Sequence, residues 1–281
     1  ASNEPREESM TVRFIRYLST AAILVGILAI PCSAQEGQSD SDLAKKTQNP
    51  VSDLISLPFQ NNTNFDFGPG DDILNVLNIQ PVIPVKIGNW NLINRPILPV
   101  IYQPELVPGT GSEFGIGDLN YQLFFSPAAP SKFIWGVGPS LLVPTATDDR
   151  LGTEKWAIGP SFVGLTMKGK WVVGAIVQNI WSFAGEDSRE DVNQFLLQYF
   201  INYNLKKGKY LTTAPIITAN WEAPSSERWI VPFGLGFGKI TRFGKRPVNL
   251  SAHAYYNVES PTIGPDWQIR LQMQLLYPKK K

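Results

Sequence analysis

The chain is poor in the residue types that most often carry chemistry. Its 281 residues include one cysteine (Cys32), one histidine (His253) and three methionines. Disulfide frameworks need paired cysteines and zinc sites need clustered Cys and His ligands, so both are excluded. Charge is also scarce. Asp, Glu, Lys and Arg make up 17% of the chain, with 25 basic side chains against 24 acidic ones. The one basic run is the terminal Lys279-Lys280-Lys281, which leaves no electrostatic footprint for nucleic acid. No apolar run reaches the 18 or so residues of a membrane-spanning helix, so any passage through a bilayer has to be made by strands.

What is present begins with a processing signal. From Met10 the sequence runs through Arg13 and Arg16 into an apolar stretch over 18–30, then Pro31-Cys32-Ser33-Ala34. A basic start, a short apolar centre and small residues at the end describe a secretory signal, with cleavage expected after Ala34. Pro31 ahead of Cys32 disfavours a lipid-modified cysteine. Residues 1–9 precede the methionine of that signal and stay outside the fold argument. The organisation expected is therefore an upstream extension (1–9), a signal peptide (10–34), a polar, mobile periplasmic leader (35–50) and a barrel over 51–281.

Beyond Pro50, segments of period-2 alternation recur about every twenty residues, bounded by Gly, Pro, Asn or Asp, with no sustained 3.6-residue period. In the last segment Trp267, Ile269, Leu271, Met273, Leu275 and Tyr277 alternate with Gln268, Arg270, Gln272 and Gln274. Residues 192–205 and 248–257 repeat the pattern. A soluble sandwich would turn Lys and Glu to bulk water. Here the polar faces are mainly Gln, Asn, Ser and Thr, which suits a confined wet lumen, and the apolar faces end in aromatics, which suits lipid and its interfaces. Twelve strands are predicted: 54–65, 73–87, 90–103, 115–127, 132–144, 155–168, 170–184, 191–205, 209–222, 227–240, 246–258 and 265–278. Connections after even strands are short and often glycine-centred, whereas those after odd strands are mostly longer and acidic. That asymmetry predicts an all-β, twelve-stranded antiparallel transmembrane barrel with short periplasmic turns and longer extracellular loops. Prolines conflict with it. Pro58, Pro81, Pro84, Pro96, Pro99, Pro139, Pro144, Pro160, Pro215 and Pro232 fall inside the proposed strands, and a closed barrel has no edge on which to place them. Bulges or shorter strands are the expected solution.

Four stretches carry a family resemblance: Asp42-Leu43-Ala44-Lys45 leading to 48–62 (Gln-Asn-Pro-Val-Ser-Asp-Leu-Ile-Ser-Leu-Pro-Phe-Gln-Asn-Asn); Trp135-Gly136-Val137-Gly138-Pro139; Pro144-Thr145-Ala146-Thr147-Asp148; and Gly264-Pro265-Asp266-Trp267-Gln268. Together they resemble a Gram-negative outer-membrane family labelled only "transporter", often mislabelled "neuromedin U". That family is loosely similar to the outer-membrane proteins of the meta pathway of phenol degradation. The resemblance runs from about residue 42 to the C-terminus. It implies an outer-membrane transport barrel, for small hydrophobic or aromatic compounds, with no catalytic motif to transfer.

The remaining candidates are weighed against plainer explanations. Ser251 and His253 could suggest a barrel phospholipase, but the alternation turns both toward the lumen, and an i, i+2 spacing of about 6.5–7 Å is poor for a direct Ser–His bond. Lys86, Arg95, Asp118, Glu222 and Arg270 lie on polar faces, either as a charge ladder that selects solutes or as a mutually neutralising network. Asp71-Asp72, Asp148-Asp149 and 187–191 lack the spacing of a calcium loop and read as solvated loop tips. The Gly-x-Gly runs at 115–117, 136–138 and 234–238 sit within strands with no following helix, so dinucleotide binding fails its context test. Eight tryptophans near strand ends read as interfacial girdles. The expectation is a channel for passive, selective passage of small solutes. Its lumen is lined by Lys86, Arg95, Asp118, Gln194, Gln198, Asn202, Glu222, Asn249, His253, Gln268, Arg270 and Gln272. No catalytic residue, metal or cofactor is expected, and the partners are outer-membrane lipid, small solutes and, during biogenesis, the barrel-assembly machinery. The rivals are a barrel enzyme and a soluble periplasmic β-rich binding or structural protein.

Overall fold

A computed structural model describes residues 39–129 and 131–278; the upstream extension, the signal peptide and Cys32 lie outside the described residues. The described chain is one antiparallel sheet closed on itself as a barrel of twelve strands. In chain order these are β1 (Ile55–Phe67), β2a (Asp72–Ile79) with β2b (Ile83–Ile87), β3 (Trp90–Gln103), β4a (Glu113–Ile116) with β4b (Leu119–Pro127), β5 (Phe133–Val143) and β6 (Lys155–Lys168). They continue as β7 (Trp171–Gly185), β8 (Asn193–Asn204), β9a (Lys209–Thr213) with β9b (Ile216–Asn220), β10 (Trp229–Phe243), β11 (Arg246–Glu259) and β12 (Trp267–Tyr277). Each strand pairs with its sequence neighbours, and β12 closes the barrel on β1, from Ile55 opposite Tyr277 to Phe65 opposite Trp267.

Directly opposed residues share a face, so the register sorts every strand into inside and outside. Asn62 opposes Arg270, which opposes His253, which opposes Gly236, and all four point inward. The neighbouring outward set, Phe233, Leu235 and Phe237 on β10, is 66%, 72% and 45% exposed. Such exposure of large apolar side chains is what lipid contact requires. Aromatic residues bound this apolar band at both ends. At the turn end Trp90 packs edge-on to Trp135, and Trp171 lies against Tyr203. At the loop end Phe195, Trp221 and Trp229 cluster, and Tyr256 meets Trp267. On β7, Trp171 and Trp181 mark the two girdles, which at ordinary strand rise and tilt stand roughly 25 Å apart along the barrel axis.

Pro58, Pro84, Pro96 and Pro99 stay within strands in continuous register, and the other six sit at or beside interruptions of the ladder. Pro81 and Pro215 fall in the gaps that split β2 and β9, and Pro144 lies just past the end of β5. Pro139 and Pro160 stay within strands, outward and directly opposite each other. Each removes ladder pairs on its far side, between Gln122/Ser140 and Phe125/Val137 and between Ile158/Trp181 and Ser161/Gln178, and the register resumes unchanged. The preceding Gly138 and Gly159 let the neighbouring backbones come close, since a Cβ at either would overlap Leu123 O or Asn179 O. Pro232 follows a register shift at Val231.

Within the stretch expected as a polar, mobile leader, Asp40–Thr47 forms a helix, α1, seated within the turn end of the barrel; residues 35–38 of that stretch lie outside the described residues. Ser39 caps it by accepting from the Asp42 N–H, Asp40 and Asp42 lie in its first turn, and Lys45 and Lys46 in its last, all in favour of the helix dipole. Eight residues are too few for a helix to persist in water, so packing supplies the stability. Leu43 and Ala44 are 1% and 0% exposed, in a cluster with Leu54, Tyr210, Ile240 and Leu276. Gln48 and Asn204 exchange two amide hydrogen bonds of 3.1 and 2.9 Å, and Arg242 reaches Asp40 at 3.0 Å. Behind the helix, Val51 is buried among Ile93, Phe124, Val163, Leu165, Val172, Ile176 and Phe200, all inward residues of β3 to β8. One side of the lumen is therefore a packed apolar core, beside the confined wet space that the amide-rich faces predict.

Candidate functional site

Above α1 the lumen holds a cavity of about 340 Å³. Its floor is Lys46 to Leu54; its polar wall comes from β1 to β4 and β11 to β12, and an apolar strip of Ile176, Leu196, Phe200 and Ile216 on β7 to β9 is interrupted at its centre by Gln198. Most amides of this wall satisfy one another. The Tyr210 hydroxyl donates to Asn249, whose amide donates to Gln274, which donates to Ser56, at 2.8, 3.2 and 3.0 Å. Gln122 donates across the lumen to Gln178 at 2.8 Å.

Seven of the residues predicted to line the lumen meet in this cavity: Arg95, Gln198, Asn202, Asn249, His253, Arg270 and Gln272. Gln194 and Gln268 keep their inward parity near the loop end, outside the cavity lining, and Gln268 donates to Asn64 at 2.8 Å. Lys86 and Glu222 are exposed at opposite rims. Asp118, at the break in β4, accepts from the Ala146 and Thr153 backbone and the Thr153 hydroxyl, which pins the loop between β5 and β6. The five ionisable residues therefore form neither a ladder nor a neutralising network. Alternation along a strand gives the face a residue occupies and is silent about its height in the barrel.

Arg270 has a structural role that its sequence position does not reveal. The gap at Ala214-Pro215 frees a carbonyl and an N–H from the β9 ladder. Arg270 Nη1 donates to Ala214 O at 2.8 Å, while the Ala214 N–H donates to the Tyr255 hydroxyl at 3.3 Å. Arg270 also reaches Asn62 and Gln268 at 2.9 and 3.0 Å and lies 5.0 Å from the Tyr255 ring centroid. The other breaks are closed similarly: Val82 and Ser56 exchange backbone bonds across the β2 gap, and Thr145 and Thr147 bridge the β4 gap.

His253 is 8% exposed and stacks on Tyr255, with ring centroids 5.8 Å apart at 12°. Its ring covers Gly236, where a Cβ would overlap it. Nδ1 has no hydrogen-bond partner, and both His253 and Ser251 face the lumen. A general base needs its nucleophile within hydrogen-bond reach and a group that orients it, and neither contact is present.

No protein-family model matches the sequence, and no curated protein matches it significantly. Solved structures do. An outer-membrane channel from Pseudomonas putida F1 is similar over 82% of this chain and 96% of its own, with a TM-score of 0.62 at 18% identity. The fold is that of an outer-membrane β-barrel. Outer-membrane phospholipase A from Escherichia coli is a remoter likeness, with a TM-score of 0.45 at 14% identity over 86% of this chain and 99% of its own, from which nothing about chemistry follows.

The loop end of this barrel is acidic and cross-linked. Asp118, Asp148, Asp149, Glu154 and Glu186 surround a second pocket, of about 470 Å³. Arg150 pairs with Glu113 and, at 2.9 Å, with Asp148, while Arg189 meets Glu154 at 3.2 Å and donates to the Asp149 and Gly152 carbonyls. Side-chain and backbone bonds from Arg150 hold the Asp148 carboxyl at about 2, and the pairing raises Arg150 in turn. Glu227 is held below the usual carboxylate range by the hydroxyl and N–H of Thr262, each at 2.7 Å, tying the β9–β10 loop to the β11–β12 loop.

Proposed function

We propose that this chain is a channel of the bacterial outer membrane that passes small solutes selectively and rests in a closed state, with its own N-terminal helix as the stopper. The observation that carries this reading is the combination of a girdled apolar exterior with a polar cavity whose floor, among the described residues, is made by residues 46–54. A wall of mutually hydrogen-bonded amides stays rigid when a solute passes, and twelve strands leave room for one small molecule at a time. The segment 10–34 directs export, the barrel-assembly machinery inserts the sheet, and the chain is a member of the "transporter" family that its sequence resembles. The apolar strip of Ile176, Leu196, Phe200 and Ile216 favours solutes with a hydrocarbon or aromatic part. The test is planar-bilayer recording of the refolded chain from Gln35 onward. Long closed periods broken by discrete steps are expected. A protein shown to be inserted that stays silent even when the helix is loosened by Leu43→Ala overturns the reading.

A further inference from the structure

Arg95 projects inward from β3 beside the gap in β2, and its Nε and Nη1 are buried with no hydrogen-bond partner. Leaving two donors of a buried charge unpaired is among the costlier arrangements a fold can hold. The contrast with Arg270 is direct, since every nitrogen of that guanidinium has an oxygen partner. Nor is any carboxylate at hand. The charged side chains lining the cavity are Lys46, Arg95 and Arg270, with His253 as a further titratable group, and no Asp or Glu contributes to its lining. At the floor Asp53 pairs with Lys46 at 3.4 Å and Asp40 with Arg242, and the acidic cluster at the loop end has Arg150 and Arg189 as partners. Two further unpaired atoms, Gln122 Oε1 and His253 Nδ1, face the same space. Across the lumen from β3, on β7 to β9, lies the apolar strip.

Resting on the channel reading above, we infer that the cavity is a binding site for a small organic anion: a carboxylate held by hydrogen bonds from Arg95, with a short apolar body against Ile176, Leu196, Phe200 and Ile216. The Nε–H of a guanidinium runs parallel to an Nη2–H, an edge that matches the two oxygens of a carboxylate, while Nη1 diverges from Nε and can meet a further acceptor. A cavity of about 340 Å³ admits a molecule of hexanoate size together with several waters. Arg95 then selects the charged head, the strip selects the tail, and Arg270, held by its carbonyl and amide partners, keeps the wall closed behind it.

The test is calorimetry on the whole exported chain in detergent, at constant ionic strength, with sodium hexanoate, sodium chloride and 1-hexanol as probes. Hexanoate is expected to bind once per barrel, hexanol at least tenfold more weakly, and chloride not to compete at equal concentration. Arg95→Gln should weaken hexanoate at least tenfold and Arg95→Lys by less, while the rim variant Lys86→Gln binds as the unaltered chain does. The heat-dependent gel shift of folded barrels verifies that each variant is closed. Hexanoate that binds Arg95→Gln undiminished, fails to bind the unaltered chain, or is displaced by chloride overturns the assignment. Bilayer recordings with hexanoate added from either side separate this inference from the channel reading: steps unaffected by hexanoate leave the channel standing and remove the site. Calorimetric binding by a barrel silent in every variant does the reverse.

Discussion

Loosening α1 gives the most direct access to how the barrel is closed. Leu43 is fully buried against Tyr210, Ile240 and Leu276, and its truncation to Ala removes three carbon atoms from a contact in which it is the largest residue the helix contributes. Leu-to-Ala changes at such sites cost about 2–5 kcal/mol, depending on how far the surroundings collapse into the space. At about 1.4 kcal/mol per factor of ten, the lower figure alone multiplies the population of undocked helix by roughly 30. Two readouts follow. Trypsin cuts after Lys45 and Lys46 only when the helix has left the lumen and unwound, so the cleavage rate measures the undocked fraction directly while reclosing outpaces cutting. Open probability in a bilayer measures the path that undocking clears. Both should rise by about the same factor in Leu43→Ala. Cleavage that rises with no gain in open probability shows that something other than α1 closes the channel. An unchanged cleavage rate shows that Leu43 does not hold the helix, and the packing argument fails.

Three further outcomes follow from other parts of the barrel. Gly236→Ala drives a methyl into the His253 ring and to 2.6 Å from the Ala252 carbonyl oxygen and should destabilise the barrel by about 1–3 kcal/mol, read as a lower urea midpoint; an unchanged midpoint removes the steric explanation. Arg270→Met strips the Ala214 carbonyl, Asn62 and Gln268 of their donor, at about 1–3 kcal/mol per buried group left unpaired. It should lower the thermal transition well beyond the effect of Tyr255→Phe, and equal transitions would discount the stitch at Pro215. Asp148 sits at about 2 in the folded loop, below the ordinary value of about 3.9. Its pairing with Arg150 therefore contributes in full above the ordinary value and is lost as pH falls through about 2. A carboxyl-carbon NMR titration should show Asp148 titrating well below the ordinary carboxylate range, and a midpoint near the ordinary value of about 3.9 contradicts the Arg150 contact.

The strands that could be read from sequence are those with one wet face and one greasy face. β8, β11 and β12 alternate amides with apolar residues, and the structure places their ends within a few positions of the expected ones. β6 and β7 were recognisable as strands, but their inward Val163, Leu165, Val172 and Ile176 are as apolar as their outward neighbours. No pattern within such a strand announces that it faces a dry core and not lipid. The helix at Asp40–Thr47 escaped notice because it brings two apolar residues, Leu43 and Ala44, to a surface made by distant strands, and nothing local demands that it fold. Ser39 and Asp42, three apart, were the available sign, since that spacing of hydroxyl and acid often caps a helix. Among the site residues, parity identified the inward face of Gln198, Asn202, Asn249, His253, Arg270 and Gln272. It could not reveal that Arg270 is spent on a backbone gap while Arg95 has buried nitrogens without partners, because that distinction depends on a break in a strand far along the chain.

The seat of the N-terminal helix also fixes an order of events. Leu43 and Gln48 lie near the start of the described chain, yet the residues that receive them, Asn204, Tyr210, Ile240 and Leu276, come from β8, β9, β10 and β12. Gln48 and Asn204 are separated by 156 positions, and the floor on which the helix rests does not exist until the last strand has joined the first. Such distant pairings form late, after the chain has met the entropy of closing the intervening loop. On the channel reading proposed above, a barrel inserting strand by strand passes through a stage that is complete in its wall before the helix docks, and docking is the step that closes the finished pore.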